Sequence, residues 1–214
     1  MGVVAKICGL SKEEAVAAAI AGGAAYLGFV FYPPSPRAVT PEHAARLCAG
    51  VPAGVRRVGL FVDADDQLIE AALIAAPLDL LQFHGSESPE RVGEAKATFG
   101  RPIMKAVAIA GPEDVAGASL YEDAADQLLF DAKPPRRPGA LPGGNGLMFD
   151  WRLIAARSWR LPWMLSGGLT AELLAEAVRI SGAAAVDVSS GVESRPGVKD
   201  LDKIRAFLDA ARVL

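Results

Sequence analysis

Two side chains in this sequence have the chemistry for proton transfer, and each ends an apolar segment. Cys8 closes the segment 3–8 and precedes Gly9, which lets a ligand approach the backbone. Asp131 closes the segment 127–131 and opens a long loop. A thiolate and a carboxylic acid on opposite sides of a small substrate can move a proton off one atom and onto another. The simpler alternatives are a small buried cysteine and an aspartate that caps a turn.

Charged and polar residues within the apolar segments indicate further functional side chains. Because side chains alternate along a strand, Lys6 shares a face with Cys8, and Gln82 shares one with His84. Asp187 lies on the corresponding face of the last apolar segment. A lone charge inside an apolar interior is costly, so we expect Lys6 to pair with Asp187 where the two segments meet. An ammonium group this close to Cys8 stabilises a thiolate.

Two glycine-rich loops have the pattern of a phosphate-binding site. Gly167 and Gly168 follow the seventh apolar segment, and Ser190 and Gly191 follow the eighth. Backbone amides in such loops, together with a helix N-terminus, bind phosphate groups. Two ordinary tight turns have the same residue types, so this alternative stays open. The pattern predicts a phosphate group and no particular reaction.

Arg37 is the charged residue of an otherwise uncharged, proline-rich segment, 32–37. A stiff loop presents a guanidinium group at low entropic cost, and its paired donors suit a substrate carboxylate. A solvated surface arginine is the simpler alternative. His84 fits a neutral hydrogen-bond donor or a structural histidine equally well. No group of Cys, His and Asp residues has the spacing of metal ligands.

These residues follow apolar segments that alternate with helical ones along the whole chain. The segments span 3–8, 26–31, 57–62, 78–83, 102–107, 127–131, 162–165 and 185–189. Nearly continuous apolar character is typical of strands buried on both faces, and helix starts are predicted at Ser11, Thr40 and Thr170. Eight units of about 27 residues predict a single (β/α)8 TIM barrel over 1–214. The alternative, a doubly wound sheet, is weakened because no Gly-x-Gly-x-x-Gly follows the first strand.

The composition is typical of a globular protein in a reducing compartment. The 214 residues include 22 Lys and Arg against 25 Asp and Glu and are 51% hydrophobic, which argues against disorder and against nucleic acid as a partner. Two cysteines, Cys8 and Cys48, are too few for a disulfide framework, and no secretory signal is present, so we expect a cytoplasmic protein. The uncharged stretch 15–32 is broken by Gly22 and Gly23, which favours a buried helix and strand over a membrane span.

A series of motifs, in order along essentially the whole chain, resembles the phosphoribosylanthranilate isomerase family. The motifs lie at 6–9, 28–31 with 35–37, 58–62, 81–85, 143–146 with 149–151, 165–169 and 186–193. Any one of them could arise by chance, but the whole series in order makes the match specific. The chain departs from the family pattern at Asn145, where threonine is common, and at Leu147 and Met148, where polar residues are common.

The resemblance implies an Amadori rearrangement in the third step from chorismate to tryptophan. N-(5-phosphoribosyl)anthranilate, an aminoaldose, becomes 1-(2-carboxyphenylamino)-1-deoxyribulose 5-phosphate. Asp131 matches the family's general acid, which protonates the ribose ring oxygen and opens the ring to a Schiff base. Cys8 matches the general base, which takes the C2′ proton and leaves an enolamine that becomes the ketone. Arg37 matches the residue that binds the anthranilate carboxylate, and the two glycine-rich loops match the phosphate site.

The resemblance also implies the remaining substrate contacts and the partners of the chain. We assign Gln82, His84 and Asp187 to substrate binding, and Asp187 matches an inward polar residue near the ribose. No cofactor is implied, because the proton transfers need neither a metal nor a redox carrier. The expected partner is the small-molecule substrate, without nucleic acid or membrane, and the chain acts as a monomer or a homodimer.

Two other functions stay open at this point. A related barrel isomerase could act on another phosphoribosyl amine, but such enzymes place an aspartate where Cys8 stands. A binder of phosphorylated ligands without catalytic activity could use the same fold, because fold does not determine function.

Overall fold

The eight apolar segments form the strands of a closed parallel barrel. In the computed structural model, which describes residues 2–134 and 141–214, the strands are β1 (Val4–Cys8), β2 (Tyr26–Val30), β3 (Arg56–Phe61), β4 (Leu80–Phe83), β5 (Ile103–Ile109), β6 (Gln127–Ala132), β7 (Trp163–Leu165) and β8 (Ala185–Val188). Each strand pairs in parallel with the next, and β8 pairs with β1. The predicted (β/α)8 fold is confirmed.

Helices follow the strands and cover the outside of the barrel. They are α1 (Glu13–Ala21), α2 (Pro41–Cys48), α3 (Asp66–Ala75), α4 (Pro89–Phe99), α5 (Pro112–Ala118), α6 (Arg152–Ala155), α7 (Ala171–Ser181) and α8 (Leu201–Arg212). Between β8 and α8, a short antiparallel hairpin forms from β9 (Glu193–Arg195) and β10 (Val198–Lys199). This hairpin was not predicted from the sequence, and it contributes two residues to the site described below.

The predicted helix starts agree with the structure at α2 and differ at α1. The Thr40 side chain accepts a hydrogen bond from the backbone amide of His43, as expected of an N-cap residue. Ser11 is not a cap, because α1 has Lys12 at its N-cap position. Two glutamates in the first turn of α1 interact favourably with the helix dipole instead.

The long uncharged stretch of the sequence forms a helix and a strand, as predicted. Helix α1 ends at the C-cap residue Gly22, and β2 begins four residues later at Tyr26. Both elements are largely buried in the core. Within the described part of the chain, no helix combines the length and the apolar character needed to cross a membrane.

Side chains of the strands alternate between the barrel interior and the layer of helices. Val58, Leu80 and Leu129 fill the interior, whereas outward residues such as Phe61 and Phe130 pack beneath the helices. The same alternation places Lys6 and Cys8 on the inner face of β1, directly beside β8. The charged and polar side chains of the interior therefore lie toward the carboxyl ends of the strands, where active sites of this fold lie, together with apolar residues such as Val30 and Leu60.

Candidate active site

A cavity of about 470 Å³ lies at the carboxyl ends of the strands, and both Cys8 and Asp131 line it. Arg37, His84 and Asp187 also line the cavity. The thiol and the carboxyl group, which come from β1 and β6, therefore face a common space.

Below the thiol, Lys6 and Asp187 form the ion pair that the sequence predicted. Lys6 Nζ lies 2.7 Å from Asp187 Oδ1, and both side chains are buried. They are register partners in the β1–β8 pairing, which explains the short distance. Ser166 Oγ lies 3.2 Å from the other carboxylate oxygen. Burial disfavours the charged form of Lys6, but Asp187 and Cys8 outweigh this effect and raise the pKa of the lysine.

The Cys8 thiol is almost completely buried, and this burial raises its pKa. Lys6 acts in the opposite direction, as expected from the sequence, but desolvation has the larger effect. Lys6 thus favours the thiolate, as the sequence predicts, but burial outweighs this effect and leaves the pKa of the thiol above its ordinary value. Gly28 of β2 lies directly against the thiol, and a Cβ atom there would be 2.9 Å from the sulfur. In the free protein Cys8 therefore carries its proton as a thiol. Because the pKa is raised, the thiolate is a stronger base than that of an ordinary cysteine once it forms.

Three polar side chains form a line of hydrogen bonds that ends at the carboxyl group of Asp131. Gln82 Nε2 lies 2.9 Å from His84 Nδ1, and His84 Nε2 lies 3.2 Å from Asp131 Oδ2. The backbone amide of Ala132 donates to Asp131 Oδ1 at 2.8 Å. His84 lines the cavity, whereas Gln82 is fully buried beneath it and is not among the lining residues. Gln82, which we assigned to substrate binding, contacts His84 instead.

Arg37 is buried, which rules out the alternative of a solvated surface arginine. Its Nε donates to Glu193 Oε1 at 2.7 Å, and its Nη2 donates to Glu193 Oε2 at 2.9 Å. Nη2 also donates to the carbonyl oxygen of Gly144 at 3.2 Å. Nη1 has no acceptor among residues 2–134 and 141–214. The guanidinium group is thus fixed by Glu193, and its Nη1 is left as a free donor.

Glu193 and Lys199, from the hairpin after β8, complete this cluster and were missed in the sequence. Lys199 Nζ donates to Glu193 Oε1 at 2.9 Å and to the carbonyl oxygen of Ser189 at 2.8 Å. Burial lowers the pKa of Lys199, although Glu193 acts against this effect. Burial disfavours the charged form of Glu193 as well, but Arg37 and Lys199 outweigh it and lower the pKa of the carboxyl group. Glu193 ends the last family motif, whereas nothing in the sequence marked Lys199.

The two glycine-rich loops line a second cavity of about 320 Å³ that adjoins the first. Gly167 and Gly168 adopt positive φ angles of 92° and 64°, which side chains rarely tolerate. Among the described residues, the backbone amides of Gly167, Gly168, Ser190 and Gly191 donate to no acceptor. A cluster of free amides at the edge of a cavity fits a phosphate group.

The three residues that depart from the family pattern lie beside this second cavity. Asn145 and Leu147 line it, and Asn145 Nδ2 donates to the carbonyl oxygen of Leu141 at 2.8 Å. The side chain of Met148 packs against Gly168. Leu147 and Met148 are both exposed to solvent. The apolar pair therefore covers the loop that carries the free amides.

A second buried ion pair supports the loop that carries His84. Lys105 Nζ, on the outer face of β5, lies 2.8 Å from Glu87 Oε2, and neither side chain is exposed. Glu87 also accepts hydrogen bonds from the backbone amides of Asp63 and Gly85. These contacts hold together the loops that follow β3 and β4. No group of three or more potential metal ligands occurs within the ranges that the structure describes.

Residues 5–210 match the sequence profile of a family described as N-(5'phosphoribosyl)anthranilate (PRA) isomerase. The N-(5'-phosphoribosyl)anthranilate isomerase of Rhodospirillum centenum is 58% identical over 214 residues, which cover 100% of both chains. The enzyme of the same name from Paramagnetospirillum magneticum is 56% identical over 212 residues, which cover 99% of this chain and 98% of that one.

Solved structures show the same similarity. The phosphoribosyl anthranilate isomerase of Thermotoga maritima is 37% identical with a TM-score of 0.87, covering 99% of this chain and 100% of that chain. A phosphoribosyl anthranilate isomerase in complex with reduced 1-(o-carboxyphenylamino)-1-deoxyribulose 5-phosphate is 34% identical with a TM-score of 0.82, at the same coverage. The likeness extends over the whole barrel.

Proposed function

The chain belongs to the N-(5'-phosphoribosyl)anthranilate isomerase family, and we propose that Cys8 is its general base and Asp131 its general acid. The family's reaction belongs to tryptophan biosynthesis and converts the aminoaldose N-(5-phosphoribosyl)anthranilate into an aminoketose. The observation that carries the assignment is the shared cavity, which is lined by the thiol from β1 and the carboxyl group from β6.

The first step opens the ribose ring. Protonated Asp131 gives its proton to the ring oxygen, and the bond between this oxygen and C1′ breaks. The lone pair of the anthranilate nitrogen forms a double bond to C1′, which yields a protonated Schiff base. Asp131 is then a carboxylate, and the hydrogen bonds from His84 and from the Ala132 amide stabilise this charge.

The second step removes a proton from carbon. The Cys8 thiol first loses its proton to solvent, and the resulting thiolate takes the C2′ proton. The electrons of this C–H bond form a double bond between C1′ and C2′, while the nitrogen regains its lone pair. The enolamine becomes the ketone when its C2′ hydroxyl group loses a proton and C1′ gains one. The neighbouring cations Lys6 and Lys199 both favour the thiolate that this step requires.

The substrate carries a carboxylate at one end and a phosphate group at the other. The site has a charged guanidinium group for the first and free backbone amides for the second. The anthranilate carboxylate binds Nη1 of Arg37, the donor that Glu193 and Gly144 leave free. The phosphate group binds the free amides of the loops at Gly167 and Ser190. The relative in complex with the reduced carboxyphenylamino-deoxyribulose phosphate carries a ligand with both of these groups. Asp187 borders both cavities, which supports a role for it beside the ribose.

Steady-state kinetics on single variants test the two catalytic roles, with loss of substrate fluorescence as the signal. Because general acid–base catalysis contributes roughly 10²–10⁴-fold, Cys8→Ser and Asp131→Asn each lose most of their kcat. Both variants retain substrate affinity, because neither group carries the carboxylate or phosphate contacts. Cys48→Ala is the matched control, since the other cysteine is buried in α2 away from the cavity. Near-normal rates in both Cys8→Ser and Asp131→Asn would contradict the assignment.

A further inference from the structure

Gln82, His84 and Asp131 form a chain that runs from the barrel interior to the cavity. Gln82 has no exposed surface, and its Nε2 lies 2.9 Å from His84 Nδ1. The opposite ring nitrogen, Nε2, lies 3.2 Å from Asp131 Oδ2. Only the last two side chains reach the cavity. Gln82 therefore cannot touch a substrate there and can act on the reaction only through the histidine.

The chemistry of the three groups fixes which ring nitrogen of His84 carries the proton. After its proton has passed to the ring oxygen, Asp131 is a carboxylate, which only accepts hydrogen bonds, so His84 Nε2 is then the donor to Asp131. In the neutral ring, Nδ1 is then an acceptor, and the Gln82 amide group supplies the matching N–H. If the Gln82 amide group were reversed, its oxygen would face Nδ1 and would require a proton there. In the neutral ring Nε2 would then carry no hydrogen and could not donate to the carboxylate of Asp131. The orientation of the amide thus selects the tautomer.

We propose that Gln82 and His84 are positioning residues for the general acid of the isomerase reaction. Gln82 holds His84 in the tautomer with hydrogen on Nε2. His84 in turn orients the carboxyl group of Asp131 and stabilises the carboxylate that remains after the proton has passed to the ring oxygen. This inference rests on the proposed role of Asp131 as the acid.

The unpaired oxygen of Gln82 supports a functional reason for this residue. Among the described residues, Gln82 Oε1 has no hydrogen-bond donor although it is buried. A buried acceptor without a partner reduces stability, and an apolar side chain of similar shape would avoid this loss. The Gln82 side chain has a hydrogen-bond partner for its amide nitrogen but none for its oxygen. A role of this nitrogen in holding His84 explains why a glutamine stands at this position. For the same reason we expect Gln82→Met to fold as well as the unchanged protein.

Kinetics of Gln82→Met separate positioning from binding and from folding. We expect kcat to fall about 10- to 100-fold, the size of effect found when a partner that orients a metal ligand is removed. KM stays within about twofold, because the substrate does not touch this side chain. Gln127→Met is the matched control. Gln127 is a second glutamine with an unpaired buried Oε1, but its amide nitrogen donates to the hydroxyl group of Tyr26, away from the cavity. We expect Gln127→Met to leave both constants unchanged.

Nitrogen-15 NMR of the histidine rings reads the tautomer directly. The chain has two histidines, so the spectrum of protein labelled at histidine contains His43 and His84 only, and His43→Asn assigns them. We expect the spectrum of His84 to show a pyrrole-like Nε2 and a pyridine-like Nδ1. In Gln82→Met this preference for the Nε2 tautomer weakens. A proton on Nδ1 in the unchanged protein overturns the inference.

The outcomes also distinguish this inference from the assignment of the acid. If Asp131→Asn is inactive while Gln82→Met keeps its kcat and its histidine spectrum, the acid stands and the positioning role is wrong. If Asp131→Asn keeps a normal kcat, the assignment of the acid is wrong, and the positioning role fails with it. Loss of kcat in Gln82→Met together with a changed tautomer, but without a change in KM, supports the inference.

Discussion

The guanidinium group of Arg37 forms two hydrogen bonds with the carboxylate of Glu193, at 2.7 and 2.9 Å. Such paired bonds fix the plane of the guanidinium group as well as its position. Glu193 is itself held by Lys199, so the arginine is oriented before any ligand arrives. A group that is already ordered loses little entropy when it binds a carboxylate.

We expect Arg37→Ala to raise KM about 10- to 100-fold while kcat changes only slightly. The lost interaction is a charged hydrogen bond far from the reacting carbons, so it contributes equally to the ground state and the transition state. Glu193 keeps Lys199 as a partner, and the variant therefore folds. Arg37→Lys keeps the charge without the fork of donors and should show an intermediate KM. A large fall in kcat at constant KM would show that Arg37 takes part in the chemistry itself.

The raised pKa of Cys8 predicts slow alkylation of this thiol at neutral pH. Iodoacetamide reacts with the thiolate, and a pKa above the ordinary value means that less thiolate is present than in free cysteine. The rate should rise about tenfold per pH unit through the range of about 7 to 9 without reaching a plateau. Mass spectrometry of a Cys48→Ala background, in which Cys8 is the remaining cysteine, measures this rate.

Lys199→Met extends the same test, because Lys199 lowers the pKa of Cys8 in the protein. Without this cation the thiolate forms at still higher pH, so alkylation slows further at every pH in the range. Arg37 stays as an ion-pair partner of Glu193 and keeps the carboxylate paired. A plateau in the alkylation rate of the Cys48→Ala protein below about pH 8 would mean that the thiolate is already formed, contrary to the effect of burial.

The Lys6–Asp187 pair could be predicted because two simple rules were sufficient. Strand alternation gives the face of each residue, and closure of the barrel makes β1 and β8 neighbours. The same rules placed Gln82 beside His84, but they do not give the direction of an amide group. The contact between Gln82 and His84, instead of one with the substrate, therefore required the structure.

Lys199, Glu87 and Lys105 could not be identified in the sequence, and the physical reason differs among them. Lys199 reaches the cluster through the β9–β10 hairpin, whose path follows no strand or helix period. Lys105 points outward from β5, where alternation predicts an apolar neighbour in the helix layer. Its partner Glu87 comes from a loop, and a long-range pair of this kind depends on the fold of that loop.

We expect Lys105→Met to reduce the free energy of unfolding by about 3–5 kcal/mol, because removal of one partner leaves Glu87 as an unpaired buried charge. Urea denaturation measures this change. The control is Lys12→Ala, which removes an exposed pair with Glu14 and should change stability by no more than about 0.5 kcal/mol. If both variants lose the same small amount, the buried pair does not support the loops as described.

Two glycines with similar backbone angles allow a matched test of the phosphate site. Gly168 in the loop after β7 has a φ of 64°, and Gly182 at the end of α7 has a φ of 72°. Substitution by alanine strains the backbone to a similar degree at both positions, at about 1–2 kcal/mol. At Gly182 nothing lies within 4 Å of an added Cβ, whereas at Gly168 the carbonyl oxygen of Leu147 would lie 2.9 Å away.

Gly168→Ala should therefore raise KM about tenfold and weaken inhibition by inorganic phosphate, because a displaced amide weakens a charged hydrogen bond. Gly182→Ala should lose a similar amount of stability while both KM and phosphate inhibition stay unchanged. Thermal unfolding and steady-state kinetics on the two variants provide the comparison. If the two variants have equal KM values and equal losses of stability, the phosphate group does not bind at the loop of Gly168.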